Sequence, residues 1–311
     1  MFYHIFVPFI NHFTALNIFK YITFRAGYAM VTALLLSFIV GPRVIKWLKK
    51  WQMKEKIRND GPQAHLAKQG TVTMGGIIIL GCTIIPTLIW ARLDNLYVLL
   101  ALFATVWMGA VGFLDDYLKA KRHMPKGLVA RYKLIGQILL GIMVGSTIYF
   151  YGDPQYATMT LIPFVKDYTL NYSSWWIYIP MVIVVITATS NAVNLTDGLD
   201  GLAIGLMGIA AGTYAIICYI TGRVNAAEYL NIFYLPGSGE LTVFCLSLVG
   251  AALGFLWYNF HPARVFMGDT GALALGGALG TVAVLVKTEI LLLVIGGVFV
   301  LEALSVILQV G

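Results

Sequence analysis

The sequence predicts an all-α protein that crosses a membrane several times. Of its 311 residues, 59% are hydrophobic and only 11% are charged, and the mean hydropathy is +0.82. Both values lie outside the range of ordinary soluble domains. Apolar runs recur at about 20 residues, the length that a helix needs to span a bilayer. We expect nine spans, at residues 26–48, 73–90, 96–114, 134–151, 176–193, 202–220, 241–258, 272–286 and 290–310.

The distribution of Lys and Arg predicts the orientation of these spans. Fifteen of the 21 basic residues fall within residues 41–70, 115–133 and 259–269. Alternating spans place all three segments on one side, which the positive-inside rule identifies as cytoplasmic. The N-terminus is then outside. This topology explains most of the net charge of +7. The basic residues could also attract anionic lipid head groups or a phosphorylated substrate. The charge therefore does not indicate a nucleic-acid partner.

The remaining segments indicate one integral-membrane domain over residues 1–311, without a soluble domain. Residues 1–24 are rich in aromatics and predict an interfacial or partly inserted segment on the outer side. Residues 151–175 form the longest outer connection and favour a short hairpin. Cys82, Cys218 and Cys245 lie inside apolar runs without CxxC spacing, so we interpret them as packing residues.

Five of the 14 acidic residues lie at the ends of apolar runs, all on the predicted cytoplasmic side. They are Asp115, Asp116, Asp197, Asp200 and Asp269. Carboxylates at a bilayer boundary are costly unless cations or hydrogen-bond donors compensate them. The sequence therefore predicts one composite, metal-assisted site on this face.

Asp115 and Asp116 precede a cluster of basic residues, and neighbours on a helix point about 100° apart, so the two need not share a ligand. The alternative is a helix end marked by solvated acids. In the segment 194–201, a helix would bring Asn194, Asp197 and Asp200 close to one face. The two glycines of this segment also allow a tight turn and close approach of a ligand. The alternative there is an N-cap for the next span.

Asp269 follows Gly268 at the predicted start of a helix and is a good hard-oxygen ligand for Mg²⁺. The alternative is a simple helix cap.

Four residues on the same side could contact a phosphorylated substrate or merely set topology: Lys68, Thr73, Lys119 and Lys133. Asn259 could bind a base edge, and His261 could be an acid, a base or a loop residue.

Several common catalytic motifs are absent from the sequence, namely GxSxG, Walker A, GxGxxG and HExxH. Carboxylates, lysines and a hard cation favour phosphoryl transfer at the membrane interface, where positioning and charge neutralisation supply the catalysis.

Four separated motifs, at 70–76, 115–117, 194–201 and 266–271, resemble those of the phospho-N-acetylmuramoyl-pentapeptide translocase family, in the same order over essentially the whole chain. Val72 stands where the family commonly has Pro, and Ala272 where it commonly has Ser. The resemblance implies a ten-span bundle with a cytoplasmic cleft in a bacterial inner membrane. It also implies transfer of phospho-MurNAc-pentapeptide from UDP-MurNAc-pentapeptide to undecaprenyl phosphate, which forms lipid I and UMP.

The resemblance also implies residue roles. Asp269 corresponds to the Mg²⁺ ligand, and Asp115 and Asp116 to a catalytic pair that acts on the lipid phosphate. The implied uridine pocket consists of Lys68, Gly198, Leu199, Asp200, Asn259 and Phe266, with Phe266 stacking on the base. The implied phosphate contacts and active-site polar groups are Thr73, Lys119, Lys133, Asn194, Asp197 and His261. Membrane lipids are expected neighbours, and a homodimer is compatible with membrane helix packing. The family continues with a His-rich cytoplasmic loop and a tenth span, so we expect a missing C-terminal portion.

Two other functions compete with this one. A sister polyprenyl-phosphate GlcNAc-1-phosphate transferase would share the acidic clusters, but the 71–76 segment favours the muramoyl enzyme. An ion-coupled transporter would need carboxylates near the bilayer midplane. Here the acids gather at the ends of spans, although Glu302 lies within one.

Overall fold

The computed structural model describes residues 1–51, 71–122, 127–165 and 169–310. It is 75% helical, and seven helices of the described part are long and apolar enough to cross a membrane. The prediction of an all-α polytopic membrane protein is therefore confirmed. The count of nine spans and the outer N-terminus stay predictions.

The described part of the chain contains the following elements, in chain order. The helices are α1 (Phe2–Phe6), α2 (Ile22–Lys50), α3 (Gly76–Trp90), α4 (Leu96–Lys121), α5 (Ala130–Tyr151), α6 (Trp175–Thr196), α7 (Leu202–Thr221), α8 (Val224–Tyr229), α9 (Leu241–Asn259), α10 (Gly268–Leu285), α11 (Leu291–Ile295) and α12 (Gly297–Val310). Three short 3-10 helices cover Val7–Phe9, Thr14–Lys20 and Ser238–Glu240. Strands β1 (Met159–Leu161) and β2 (Thr169–Asn171) pair antiparallel, with Met159 opposite Asn171, which confirms the hairpin.

Two predicted spans differ from the helices of the structure. The run at 73–90 becomes a helix only from Gly76, because Val72, Gly75 and Gly76 make backbone hydrogen bonds to Phe266 and Met267 instead. The run at 290–310 is not one helix, since α11 and α12 are separated at Gly296. Two consecutive glycines stand there, and each costs about 1 kcal/mol in a helix interior, so a break at this point is cheap.

Helix α10 lies at the centre of the bundle and packs against α4 and α6. Of its residues, 89% are buried. Small residues allow this close packing. A Cβ on Gly112 of α4 would overlap the backbone of Asp269, and a Cβ on Gly76 of α3 would overlap the backbone of Gly271. The start of α10 is thus fixed against two neighbouring helices.

A buried ion pair joins helices at the other end of the bundle. The guanidinium of Arg25, 1% exposed, donates two hydrogen bonds to the carboxylate of Glu240, at 2.6 and 2.5 Å. Arg25 also donates to the carbonyl of Trp90 at 3.2 Å. The ends of α2, α3 and α9 are therefore held together by Arg25.

The three buried cysteines, Cys82, Cys218 and Cys245, have free thiols, consistent with packing roles.

Candidate active site

Three aspartates meet where the end of α4 approaches the start of α10. Asp115 and Asp116 lie near the C-terminal end of α4, and Asp269 lies in the first turn of α10. Carboxylate oxygens of the three side chains all lie within 4.8 Å of one another. Asp115 is 0% exposed and Asp116 is 4% exposed. The interpretation of these acids as a solvated helix end is therefore wrong, and α4 continues past them to Lys121.

Asp115 is compensated by two ammonium groups and one backbone N–H. Lys119, one turn further along α4, lies 2.5 Å from Oδ2 of Asp115, and Lys133 of α5 lies 2.9 Å from the same oxygen. The backbone N–H of Leu128 donates to Oδ1 at 2.6 Å. These contacts explain how a fully buried carboxylate is tolerated at this position.

The same two lysines also contact Asp269. Lys119 donates to Oδ2 of Asp269 at 3.0 Å, and Lys133 makes a shorter hydrogen bond to that oxygen. The side chain of Lys119 is 40% exposed and that of Lys133 is 18% exposed. Both lysines thus bridge α4 and α10, and Lys119 presents part of its side chain to the outside of the cluster.

Asp116 has a different set of partners, all at the start of α10. Its Oδ1 accepts the backbone N–H of Asp269 at 3.2 Å, and its Oδ2 accepts the backbone N–H of Thr270 at 2.9 Å. The hydroxyl of Thr270 donates to Oδ2 at 2.6 Å. A carboxylate from α4 therefore satisfies N–H groups in the first turn of α10, where a negative charge also interacts favourably with the helix dipole.

The segment after residue 70 runs beside the start of α10. Val72 accepts the N–H of Phe266 at 2.7 Å, and the N–H of Gly75 donates to the carbonyl of Phe266 at 2.8 Å. Gly268 has φ +72°, and a Cβ there would lie 2.7 Å from Oδ2 of Asp116 and 3.0 Å from Oγ1 of Thr73. Glycine is needed at this position, and the hydroxyl of Thr73 borders the acidic cluster.

The 194–201 segment does not form the continuous helix that its spacing predicted. Helix α6 ends at Thr196, so Asn194 lies in its last turn, whereas Asp197 and Asp200 follow in a turn. The three therefore do not share one helical face, and the chain takes the tight turn that Gly198 and Gly201 allow. The N-cap of α7 is Gly201 rather than Asp197 or Asp200.

Asp200, Asn259 and His261 lie together beside this turn. Oδ2 of Asp200 is 3.1 Å from Nδ1 of His261 and accepts the N–H of Ala263 at 3.3 Å. The side-chain amide of Asn259 accepts the N–H of Gly201 at 3.0 Å and donates to the carbonyl of Val265 at 2.9 Å. Asn259 is 3% exposed, so it joins the turn to the segment that leads into α10.

The other candidate nucleotide-pocket residues surround this group at varied depth. Gly198 and Leu199 are exposed, and Phe266 is half-buried three residues before Asp269. His261 is exposed as well. Lys68 lies outside the described residues. The structure thus brings Asp200 and His261 into contact, and Asn259 bonds to Gly201 directly beside Asp200. The binding roles of these residues stay predictions.

The sequence analysis did not predict two polar features of the site. Thr270 stands directly after Asp269 in the fourth motif, but its bond to Asp116 depends on a contact between distant helices. Gln137 is an amide inside an apolar run, a signal that could have been used. Its Nε2 donates to Oδ1 of Asn191 at 3.1 Å and to Ser190 at 3.3 Å. Because Gln137 lies one turn after Lys133, this network fixes the helix that carries Lys133.

The donor chemistry of the cluster fits a hard divalent cation. Such ions take carboxylate oxygens as ligands, and Asp115, Asp116 and Asp269 offer three within the described part of the chain. Three carboxylates and two ammonium groups leave one net negative charge.

Comparisons with known proteins agree on the family to which the chain is similar. The model of glycosyl transferase family 4 matches residues 98–287. The chain is 54% identical to a phospho-N-acetylmuramoyl-pentapeptide-transferase of Geobacter sp. (strain M21) and 53% identical to one of Citrifermentans bemidjiense. It is 50% identical to one of Thermodesulfovibrio yellowstonii. Each comparison covers 100% of this chain and 86% of the relative. The motifs, the clustered aspartates and these relatives agree, and the chain belongs to the phospho-N-acetylmuramoyl-pentapeptide-transferase family.

Proposed function

We propose that the protein transfers phospho-MurNAc-pentapeptide from UDP-MurNAc-pentapeptide to undecaprenyl phosphate, forming lipid I and UMP in peptidoglycan synthesis. Family membership supports the substrates. The observation that carries the chemistry is the buried cluster in which Lys119 and Lys133 bridge Asp115 and Asp269. Phosphoryl transfer depends on positioned charges of this kind more than on covalent chemistry by the protein.

Lys119 and Lys133 are the groups we assign to substrate phosphate oxygens. Ammonium groups bind phosphate as compact point charges with several donors each. Lys119 has the more exposed side chain, so a diphosphate would meet it first. Lys133 is held more deeply, where it keeps Asp115 and Asp269 close together.

We assign Mg²⁺ to the acidic cluster, with Asp269 as its principal ligand. Asp116 is the weaker candidate because its two oxygens already accept three hydrogen bonds from the start of α10. When bound, the ion would neutralise charge on the diphosphate and on the leaving UMP. The ion would share Asp269 with Lys119 and Lys133, whose ammonium groups contact its Oδ2.

Asp115 and Asp116 would then have different tasks. Asp115 contacts both lysines, so it would face the lipid phosphate that those lysines bind and could accept a proton there. Asp116 would hold the first turn of α10, and with it Asp269, in position. The contacts of each residue support this division of the predicted catalytic pair.

The uridine would bind beside residues 198–201 and 259–266. Asp200 is the acidic group of this region and Phe266 its half-buried aromatic ring, while Gly198 and Leu199 are exposed. Both hydrogen bonds of the Asn259 amide go to backbone groups. We therefore assign Asn259 to holding the pocket together, with Lys68 and His261 as further contacts to the nucleotide.

The distribution of basic residues supports a site on the cytoplasmic face of the bacterial inner membrane. The first test is formation of a lipid-linked sugar by the purified protein from undecaprenyl phosphate. The donor is either UDP-MurNAc-pentapeptide, which gives lipid I, or UDP-GlcNAc. We expect product only from the muramoyl donor and only with Mg²⁺. Product from UDP-GlcNAc alone would indicate the sister transferase, and ion movement without UMP release would indicate a transporter.

A second test concerns Asp269. The substitution Asp269→Asn removes a charge but little volume, so we expect turnover to fall by about 100-fold or more. Glu228→Gln is the matched control, because Glu228 is exposed in α8 and away from the cluster. Near-normal turnover of Asp269→Asn at saturating Mg²⁺ would exclude Asp269 as the principal ligand.

A further inference from the structure

A cavity with both polar and apolar walls lies at the opposite end of the bundle from the three aspartates. It has a volume of about 380 Å³ and is lined by the start of α4, the end of α5 and the residues just after α10. Leu96 of the cavity and Asp115 of the candidate active site lie at opposite ends of α4, about 28 Å apart at 1.5 Å per residue. The cavity is therefore distinct from the candidate active site and lies near the other membrane face.

We propose that this cavity binds the head group of a zwitterionic phospholipid that carries a primary ammonium, as phosphatidylethanolamine does. The lining changes along the direction in which a lipid is oriented. Leu100 lies inside α4 near its start and Ile148 lies in the last turn of α5, whereas Asp94 and Asp153 lie beyond the helix ends. An amphiphile with its ammonium outermost matches that order.

The phosphate end would meet Arg92 and Lys287. Arg92 is partly exposed and pairs with Asp94 at 2.7 Å. Lys287 is 3% exposed, and its ammonium donates to the carbonyl of Ala157 at 2.6 Å and to the hydroxyl of Tyr178 at 2.9 Å. An ammonium can donate three hydrogen bonds, so a phosphate oxygen in the cavity could accept the third. A buried, charged side chain is therefore part of the cavity wall.

The ammonium end would meet Asp153 and the rings of Tyr97, Tyr151 and Tyr156, which also line the cavity. Oδ1 of Asp153 accepts the N–H of Gln155 at 2.9 Å, which fixes the carboxylate. Ammonium groups bind carboxylates and the faces of aromatic rings.

The charges of the lining argue for a zwitterion rather than an anionic lipid. Two acids, Asp94 and Asp153, and two bases, Arg92 and Lys287, line the same space, so a ligand with one charge of each sign complements them. The position argues for a lipid rather than a solute. Tyr151 is 78% exposed at the end of α5, as expected of an interfacial aromatic residue.

The experiment measures binding of dihexanoylphosphatidylethanolamine to the full chain in detergent by titration calorimetry. We expect Asp153→Asn and Arg92→Gln each to weaken binding by about tenfold, the usual effect of losing a hydrogen bond to a charged group. The matched controls are Glu228→Gln and Arg223→Gln, two exposed residues at the same end of the bundle and outside the cavity. They should bind like the unmodified protein.

Dihexanoylphosphatidylglycerol has the phosphate but no ammonium, and we expect it to bind about tenfold more weakly and without response to Asp153→Asn. Equal binding of the two lipids, or unchanged binding by both cavity variants with an unchanged melting temperature, would overturn the proposal. Binding of free phosphoethanolamine without binding of the lipid would overturn the assignment to a membrane lipid. Because the readout is binding, the result is independent of lipid I synthesis.

Discussion

Replacing Asp116 by Asn tests whether this carboxylate positions the start of α10. All three of its partners are donors: the N–H of Asp269, the N–H of Thr270 and the hydroxyl of Thr270. A carboxylate can accept from all three, but an amide has only one acceptor oxygen. If that oxygen faces Thr270, the new NH₂ group points at the N–H of Asp269, which loses its acceptor.

The magnitude follows from these contacts. Orphaning one buried N–H costs about 1–3 kcal/mol, and each of the two remaining bonds loses about 1 kcal/mol because its acceptor is no longer charged. Relief of burying a charge offsets part of this loss. We expect the free energy of unfolding to fall by about 2–4 kcal/mol in Asp116→Asn and by about 1–2 kcal/mol in Thr270→Val, which removes only the hydroxyl donor.

The assay combines thermal denaturation in detergent with lipid I synthesis at saturating substrates. Thr270→Ser is the matched control, since it keeps the hydroxyl and should change both readouts little. Asp116→Asn and Thr270→Val should lower melting temperature and turnover together, in the same order. A melting temperature unchanged in both variants would refute the reasoning. Loss of turnover in Asp116→Asn beside full turnover in a destabilised Thr270→Val would assign Asp116 to direct chemistry instead.

Three further perturbations test other parts of the fold. Gly268→Ala should lower the free energy of unfolding by about 1–3 kcal/mol because of the positive φ of Gly268, whereas Gly205→Ala, with open space at its Cβ, should change it little or raise it. Gly112→Ala should reduce turnover by about tenfold or more, because a Cβ there would displace the backbone of Asp269; normal turnover would contradict this contact. Burial raises the pKa of the Glu289 carboxyl to about 7, so the folded state retains a proton that the unfolded state loses, and stability should fall as pH rises from about 4.5 to 7. Glu289→Gln should flatten this part of the profile of melting temperature against pH, and an unchanged slope would exclude Glu289 as its source.

Much of the helical architecture could be predicted because a membrane span must be both long and apolar. The helix over residues 202–221, for example, agrees with its predicted run within one residue. The break at Gly296 was missed because hydropathy does not register two glycines in an apolar run. The end of α4 was missed for the opposite reason, since charged residues from Asp115 to Lys121 continue a helix whose acids are compensated by partners elsewhere in the chain.

The site could be predicted as a set of residues but not as a set of contacts. The clustering of Asp115, Asp116 and Asp269 followed from topology, because alternating spans bring their ends to one face. The spacing in the 194–201 segment could not decide between a helix and a turn, and the chain turns after Thr196, where Gly198 and Gly201 allow it. The partners of Asp116 could not be predicted, since two of them are backbone N–H groups more than 150 residues away.

The adjacent carboxylates of Asp115 and Asp116 are tolerated because each is compensated by a different kind of donor. Two successive residues on a helix point about 100° apart, so one side chain can face the ammonium groups of Lys119 and Lys133 while the other faces the start of α10. Lysine ammonium groups can turn toward an arriving phosphate, whereas the backbone N–H groups of a helix cannot move without the helix. Substrate binding can therefore rearrange the partners of Asp115, while Asp116 keeps its own, and the two neighbours are suited to different tasks for this reason.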